Sequence, residues 1–432
     1  MTPAARLQAA VELLTAVGET ARPADRVIAD WFKPRRFVGA KDRRAITLTV
    51  YAVLRAQARL GWWLARPQPS ARLQVFAWLA LVDGWRADDF AGRLGQGAHA
   101  LSPPSETELR ALEPLIGHSL DHPRQPPAVQ VELPDWLFER LGEDLGAAAP
   151  AELAALRGEA PVDLRANVLK ADRASARAAL AAEGIETTPG RWSPWALRAD
   201  GRRPVAATAA FRDGLVEVQD EGSQLVALLT GAQPGQRVCD FCAGAGGKTL
   251  ALAAAMQNKG QLFACDVLDK RLERSAVRLR RAGVHNVTRK PIESERDPWV
   301  KRHKGGFDRV LVDAPCSGSG TWRRNPEARW RLTPEGLDEL LDLQGRILES
   351  AARLVRPGGR LAYATCSLLR AENEAQVERF LAADPAFRLL PMPQVWAEVL
   401  GGDPPGEAPM LRLLPAAHGT DGFFLAVLER LA

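Results

Sequence analysis

Two cysteines stand just beyond segments that read as buried strands. Cys316 follows "FDRVLVDAP" and Cys366 ends "RLAYATC". A cysteine that only packs in a core needs no such position, whereas a thiolate that attacks an electron-poor carbon does. For either cysteine alone, the small buried hydrophobe is the commoner fate. Three further features fall at strand ends: Asp313 before Cys316, Asp266 in "QLFACDV", and the glycine-rich run "CAGAGGKT" after "RVCDF". Ligands of open α/β sheets bind outside the carboxyl ends of the strands, so two thiols and a carboxylate at one rim favour chemistry over packing.

The glycine run leads from a strand into an apolar helix, and Gly244, Gly246 and Gly247 allow a tight turn and close approach of a ligand to the helix start. A nucleoside triphosphate loop would need glycine where Cys242 stands, and a dinucleotide loop would need a final glycine where Thr249 stands. S-adenosylmethionine fits better, because it has no phosphate and asks for backbone approach plus a carboxylate for its ribose hydroxyls. Asp266 occupies the place of that carboxylate. Cys239 and Cys242 form a C-x-x-C with no second pair, which argues against zinc, so no metal is expected.

A thiolate beside a methyl donor suits one reaction in particular. Carbon 5 of a pyrimidine is a poor nucleophile until a thiolate adds at carbon 6 and makes carbon 5 electron-rich. An acid at ring N3 then absorbs charge, and a second group assists release.

The elements that must carry these residues follow from patterning. Residues 1–65 read as helices, with Leu7, Val11 and Leu14 on one face and Ile46, Val50, Val53 and Leu54 on another. No strand-like alternation appears before about residue 120, and "SLDHPRQPPAVQVELP" has linker composition. The predicted domains are an all-helical 1–125, a small α/β segment 126–213 and a regular strand–helix alternation 214–432, a mostly parallel doubly wound sheet. At 432 residues, two or three domains are expected. The net charge of +5 suits a polyanionic partner, although an Arg- and Ala-rich composition explains it equally well. Five cysteines spread thinly point to a reducing, cytoplasmic setting without disulfides. No apolar run is long enough for a membrane span, and the N-terminus lacks the pattern of a secretory signal.

"VQDEGSQL", "CAGAGGKT", "DAPCSGSGT", "YATCSLLRAENE" and "HGTDGFFLAVL" together resemble the Nop/Sun-type RNA cytosine-5 methyltransferases over roughly residues 130–432. The first domain, with "DRRAITLTVYAVLRAQARL", resembles the NusB-like RNA-binding domain of the bacterial 16S rRNA branch. The resemblance implies a Rossmann-like class I methyltransferase domain preceded by a small α+β, RRM-like, RNA-facing subdomain. It implies Cys366 as nucleophile, Cys316 as the group assisting release, and Asp313 in contact with both the cytosine ring and the cofactor. DNA cytosine methyltransferases attack with the cysteine of the P-C motif, so Cys316 is the rival nucleophile. Cys242, Ala243, Gly244, Ala245, Gly246, Gly247 and Lys248 would line S-adenosylmethionine, with Asp266 on its ribose. Relatives often have proline where Ala245 stands, and many have an aspartate near the adenine where this chain has Ile292 and Glu293.

For RNA, "TWRRNPEARWR" places Arg323, Arg324, Arg329 and Arg331 among Trp322 and Trp330 as expected phosphate clamps and stacking rings. Arg165, Asn167 and Lys170 in "PVDLRANVLK" are further expected contacts. The expected protein is a monomer that binds RNA and no membrane and methylates small-subunit ribosomal RNA. The alternatives are a transfer-RNA enzyme, an assembly factor with a vestigial cofactor site, and an NAD oxidoreductase. The last lacks a strand-end histidine to relay a proton.

Overall fold

The computed structural model describes residues 1–432 and divides into two compact units. The first unit is helical. It comprises Met1–Glu143, Leu156–Gly158 and Trp322–Thr333. Its main helices are Pro3–Gly18, Ala24–Phe32, Ala40–Leu54, Gln57–Trp63 and Ala71–Leu81. The amphipathic spacing read from the sequence is realised in one core that includes Leu13, Leu14, Ile46, Val50, Val53, Phe76 and Phe90. Thr2 caps the first helix by accepting from the Ala5 amide, and Ser70 caps the fifth by accepting from the Leu73 amide. The unit runs past the expected boundary near 125, because Glu132 is drawn into it. The buried Glu132 carboxylate accepts from Arg59 Nε and from the Ala58 amide, each at 2.7 Å.

The second unit holds both sheets. A four-stranded antiparallel sheet has the order β2-β3-β1-β4, formed by β1 (Val162–Ala166), β2 (Thr187–Pro189), β3 (Ala196–Ala199) and β4 (Val216–Val218). It packs against the helix Arg173–Ala182 through Leu164, Ala176, Leu180 and Leu197.

The eight-stranded sheet contains β5 (Arg237–Asp240), β6 (Gln261–Asp266), β7 (Val287–Pro291), β8 (Phe307–Asp313), β9 (Val355–Thr365), β10 (Phe387–Leu390), β11 (Leu411–Leu413) and β12 (Phe423–Arg430). Its order is β10-β12-β9-β8-β5-β6-β7, with β11 paired to β12. Strands β9, β8, β5, β6 and β7 are mutually parallel, and β12 enters antiparallel beside β9. Strands β5, β6, β8 and β9 carry apolar side chains on both faces, as strands covered by helices on both sides require, whereas the edge strand β7 is largely exposed. The strand order reverses between β5 and β8, so the crevice at their carboxyl ends is where a ligand belongs.

Candidate active site

That crevice is a cavity of about 630 Å³, and its walls are the strand ends singled out in the sequence. The loop after β5 supplies residues 242–245, 247 and 248, β6 supplies Asp266, β8 supplies Asp313 and Cys316, and the end of β9 supplies Cys366. Cys366 is half-buried; it packs at the margin of the core and lines the cavity beside the glycine loop.

The glycine loop has its shape for steric reasons. Gly246 has φ +81°, in the left-handed region, and a Cβ there would come within 2.9 Å of the Ser275 Cβ. The helix Gly247–Ala255 follows at once. Asp266 fastens the loop: its Oδ2 accepts from the Gly244 amide and its Oδ1 from the Leu268 amide, each at 2.8 Å. Each oxygen keeps a lone pair for a ribose hydroxyl.

The two sulfurs face each other, with Cys316 Sγ 3.5 Å from Cys366 Sγ. This shared hydrogen bond, together with burial, pushes the Cys316 thiol well above its ordinary value. Either sulfur can be the donor in this contact. A close backbone approach brings the loops together. The Gly320 amide donates to the Cys366 carbonyl at 2.9 Å, and the Gly422 amide donates to the Gly320 carbonyl at 2.9 Å. A Cβ on Gly320 would lie 2.3 Å from that Gly422 carbonyl oxygen, so only glycine fits.

Lys248 Nζ lies 2.7 Å from Asp313 Oδ2. Burial works against the lysine charge, but the Asp313 carboxylate outweighs it and holds the Lys248 pKa above its ordinary value. The cavity thus has a fixed ion pair beside Cys366.

Asp240 is a site residue that the sequence reading missed. It ends β5, is wholly buried and lines the cavity. Its Oδ2 accepts from the Thr249 hydroxyl at 2.7 Å, while its buried Oδ1 has no partner within the protein. Burial, with help from Asp313 and Asp266, pushes its carboxyl up to about 7. The signal was present, since "VCDFCAG" puts an acid at the last position of its strand, as Asp266 and Asp313 are at the last positions of theirs. A raised carboxyl pKa means that the native state holds a proton the unfolded chain has released. Its contribution to stability is full at low pH and declines as pH rises from the ordinary carboxylate range near 4 to about 7. Asp240→Asn is expected to flatten that decline, which thermal melts at pH 5 and pH 8 will read.

An orphan buried acceptor, a glycine cradle and a strand-end carboxylate suit S-adenosylmethionine, whose charged end needs an acceptor and whose ribose needs Asp266. Asp266→Ala removes both the loop anchor and the ribose acceptor. It is expected to weaken cofactor binding by at least about tenfold while leaving RNA binding unchanged, as separate titrations of each ligand will show. At the β7 end the cavity wall is Ile292 with Glu295, not Glu293.

The expected RNA contacts are placed differently. Residues 322–333 belong to the helical unit. There Arg329 is buried, with its guanidinium donating to the carbonyls of Glu132, Leu156 and Trp322 at 3.1–3.3 Å. Arg323 is buried as well, and Arg324 is half-buried. Arg331 donates to the carbonyls of Val17, Ala21 and Arg22, at the end of the first helix and just beyond it. Trp322 is fully buried. Burial of Arg323 and Arg329 corrects the expectation that they form an exposed clamp, because a guanidinium inside a core has no face for phosphate, whereas Arg324 and Arg331 are only half-buried. In the second unit, buried Arg165 donates Nε to Gln219 Oε1 at 2.7 Å. Buried Asn167 donates to the carbonyls of Gly214 and Ala282, and Lys170 Nζ donates to those of Asp213 and Arg281. Asn167 and Lys170 tie the small sheet to the helix Asp269–Ala282, and burial of Arg165 and Asn167 corrects their reading as free RNA contacts, while Lys170 stays exposed.

Known proteins share this architecture. Residues 227–429 match the family model "16S rRNA methyltransferase RsmB/F", and residues 133–206 match the ferredoxin-like domain of RsmF/B-like methyltransferases. The probable ribosomal RNA small subunit methyltransferase B of Synechocystis is 39% identical over 304 residues, 70% of this chain and 67% of that one. The ribosomal RNA small subunit methyltransferase B of Xylella fastidiosa is 34% identical over 408 residues, 89% of this chain and 91% of that one. The crystal structure of PH0851 superposes with a TM-score of 0.80 at 29% identity, covering 100% of this chain and 99% of that one. The chain therefore belongs to the 16S rRNA methyltransferase RsmB/F family and is an S-adenosylmethionine-dependent RNA methyltransferase.

Proposed function

We propose that this protein methylates carbon 5 of a cytosine in small-subunit ribosomal RNA through a temporary bond between Cys366 and carbon 6. The observation that carries this reading is the pair of sulfurs 3.5 Å apart at the wall of a cavity that also holds the glycine loop and the Lys248–Asp313 pair. Cys366 Sγ adds to carbon 6 as a thiolate, and the displaced electron pair spreads over carbon 5 and N3, which borrows a proton from a general acid and returns it as the product forms. Lys248 faces the sulfur and offsets its charge, and Asp313 contacts the ring. S-adenosylmethionine, when bound, supplies the methyl group. A base then removes the carbon-5 proton, the ring double bond re-forms, and the electron pair of the S–C6 bond returns to Cys366. The Cys316 thiol, 3.5 Å away, is placed to donate to the sulfur as it leaves. The target base must be unstacked to reach the strand ends, so open or looped RNA is the substrate.

The helical unit is read as a NusB-like RNA-binding domain, and the protein as a cytoplasmic monomer. All five cysteines are free, and no helix is long and apolar enough to cross a membrane. Bisulfite sequencing of 16S rRNA and transfer RNA after incubation with protein and S-adenosylmethionine tests the substrate. A protected cytosine in 16S rRNA is expected. Protection only in transfer RNA, or none at all, would refute the proposal.

A further inference from the structure

Both cysteine loops meet at one buried carboxylate, Glu372, which is fully shielded from solvent. Its Oε1 accepts from the Ser317 amide at 2.8 Å and from Gln344 Nε2 at 2.9 Å. Its Oε2 accepts from the hydroxyls of Ser317 and Ser367. Ser317 is the residue after Cys316, and Ser367 is the residue after Cys366. Gln344 also donates to the Pro315 carbonyl at 3.0 Å, and the Tyr363 hydroxyl donates to the Glu372 carbonyl at 2.7 Å. Asn373 completes the arrangement by donating to the Ser367 carbonyl at 2.9 Å. Four donors fill the roughly four lone-pair sites of a carboxylate, which leaves Glu372 none with which to meet a substrate.

We infer that Glu372 is the positioning residue that sets the Cys316–Cys366 separation, by tying the residue after each sulfur to one carboxylate. The inference rests on the reading of Cys366 as nucleophile and Cys316 as its partner. Apart from this tie the loop after β8 and the end of β9 are joined by the Ala314 amide donating to the Ala364 carbonyl and the Gly320 amide to the Cys366 carbonyl. The Ser319 hydroxyl also accepts from the Leu368 amide and meets the Ser367 hydroxyl at 3.0 Å, and the Ser317 and Ser367 hydroxyls, both of which Glu372 itself holds, make a 3.3 Å contact. Those bonds fix the backbones at one remove from the Cys316 side chain. The charge of Glu372 also adds, after the Cys366 hydrogen bond and burial, to what raises the Cys316 thiol pKa.

Glu372→Ala in the full-length protein is expected to lower kcat by about 10²-fold, the cost of a misplacement of about 1 Å, with KM for S-adenosylmethionine unchanged. Glu372→Gln should restore most of the loss, because the amide oxygen replaces Oε1 and the two serine hydroxyls can rotate to accept from the amide nitrogen. A short bifunctional thiol reagent, applied without RNA or cofactor, should bridge Cys316 to Cys366 in the natural protein and in Glu372→Gln, but alkylate the sulfurs separately in Glu372→Ala. A natural kcat with natural bridging in Glu372→Ala overturns the inference, as does a KM that rises in step with the loss of kcat. If Glu372→Ala does not fold, Ser317→Ala removes one donor and should cost kcat about tenfold. An unchanged kcat there overturns the inference too. The bridging measurement needs no turnover, so it stands apart from the identity of the nucleophile, which Cys366→Ala tests separately.

Discussion

Replacing Cys366 by alanine is expected to lower turnover by roughly 10⁴-fold or more and to abolish any covalent protein–RNA adduct. Carbon 5 of the ring gains its nucleophilicity only from the addition at carbon 6, and no other group at the cavity replaces that addition. Cys316 lies close enough to be the rival, and the Cys366 contact and burial raise its thiol pKa above the ordinary value, which disfavours the thiolate there. Cys316→Ala is therefore expected to behave in the opposite way. The adduct forms through Cys366 and persists, because the thiol placed to assist departure is gone. Denaturing electrophoresis of each variant with labelled RNA and S-adenosylmethionine reads both outcomes. Adduct persisting in Cys366→Ala would transfer the role of nucleophile to Cys316.

The second large effect lies away from the cavity. Arg329→Ala is expected to destabilise the helical unit by ~3 kcal/mol or more, since it strands carbonyls of Glu132, Leu156 and Trp322 inside the unit. Burial lowers the Arg329 pKa to about 10, so the guanidinium remains charged at neutral pH, and the neighbouring Glu132 carboxylate partly compensates it. A phosphate contact would behave differently. Its removal would leave stability alone and reduce the salt slope of RNA binding by about one. Thermal melting together with RNA titration at several salt concentrations separates the two, and the expected result is a lower Tm with an unchanged slope.

The two arginine groups show why some readings of the sequence succeed and others do not. The alternation from "RVCDFCA" to "RLAYATC" announces a parallel sheet because strands buried on both faces must be apolar throughout, and β5, β6, β8 and β9 form there. Strand-end positions could be read as well. Once the strands were located, the cavity had to contain whatever followed them, and Cys316, Cys366, Asp313 and Asp266 are all in its wall. Asp240 was legible by the same rule, as the last residue of the strand that precedes the glycine turn. Glu372 was not legible. It stands six residues beyond Cys366, in a stretch that looks solvated, and nothing local says that a charged side chain will turn inward to meet serines from another loop.

The basic aromatic run after Cys316 failed for a related reason. Arginine and tryptophan at a site rim describe an RNA surface and a buried polar network equally well, and only long-range packing distinguishes them. Residues 322–333 join a core whose other members precede them by about three hundred positions for Glu327 and Ala24, whose amide donates to the Glu327 carboxylate at 2.8 Å. The amino-acid sequence by itself determined the alternation of elements, the glycine turn and the chemistry available at the strand ends, because these depend on local geometry and on which side chains can ionise or attack. The tertiary structure alone decided that two sulfurs fifty residues apart would share a hydrogen bond, that a saturated carboxylate would lie behind them, and that Arg323 and Arg329 would be interior. Those outcomes depend on which distant donors and acceptors reach each other once water has been excluded.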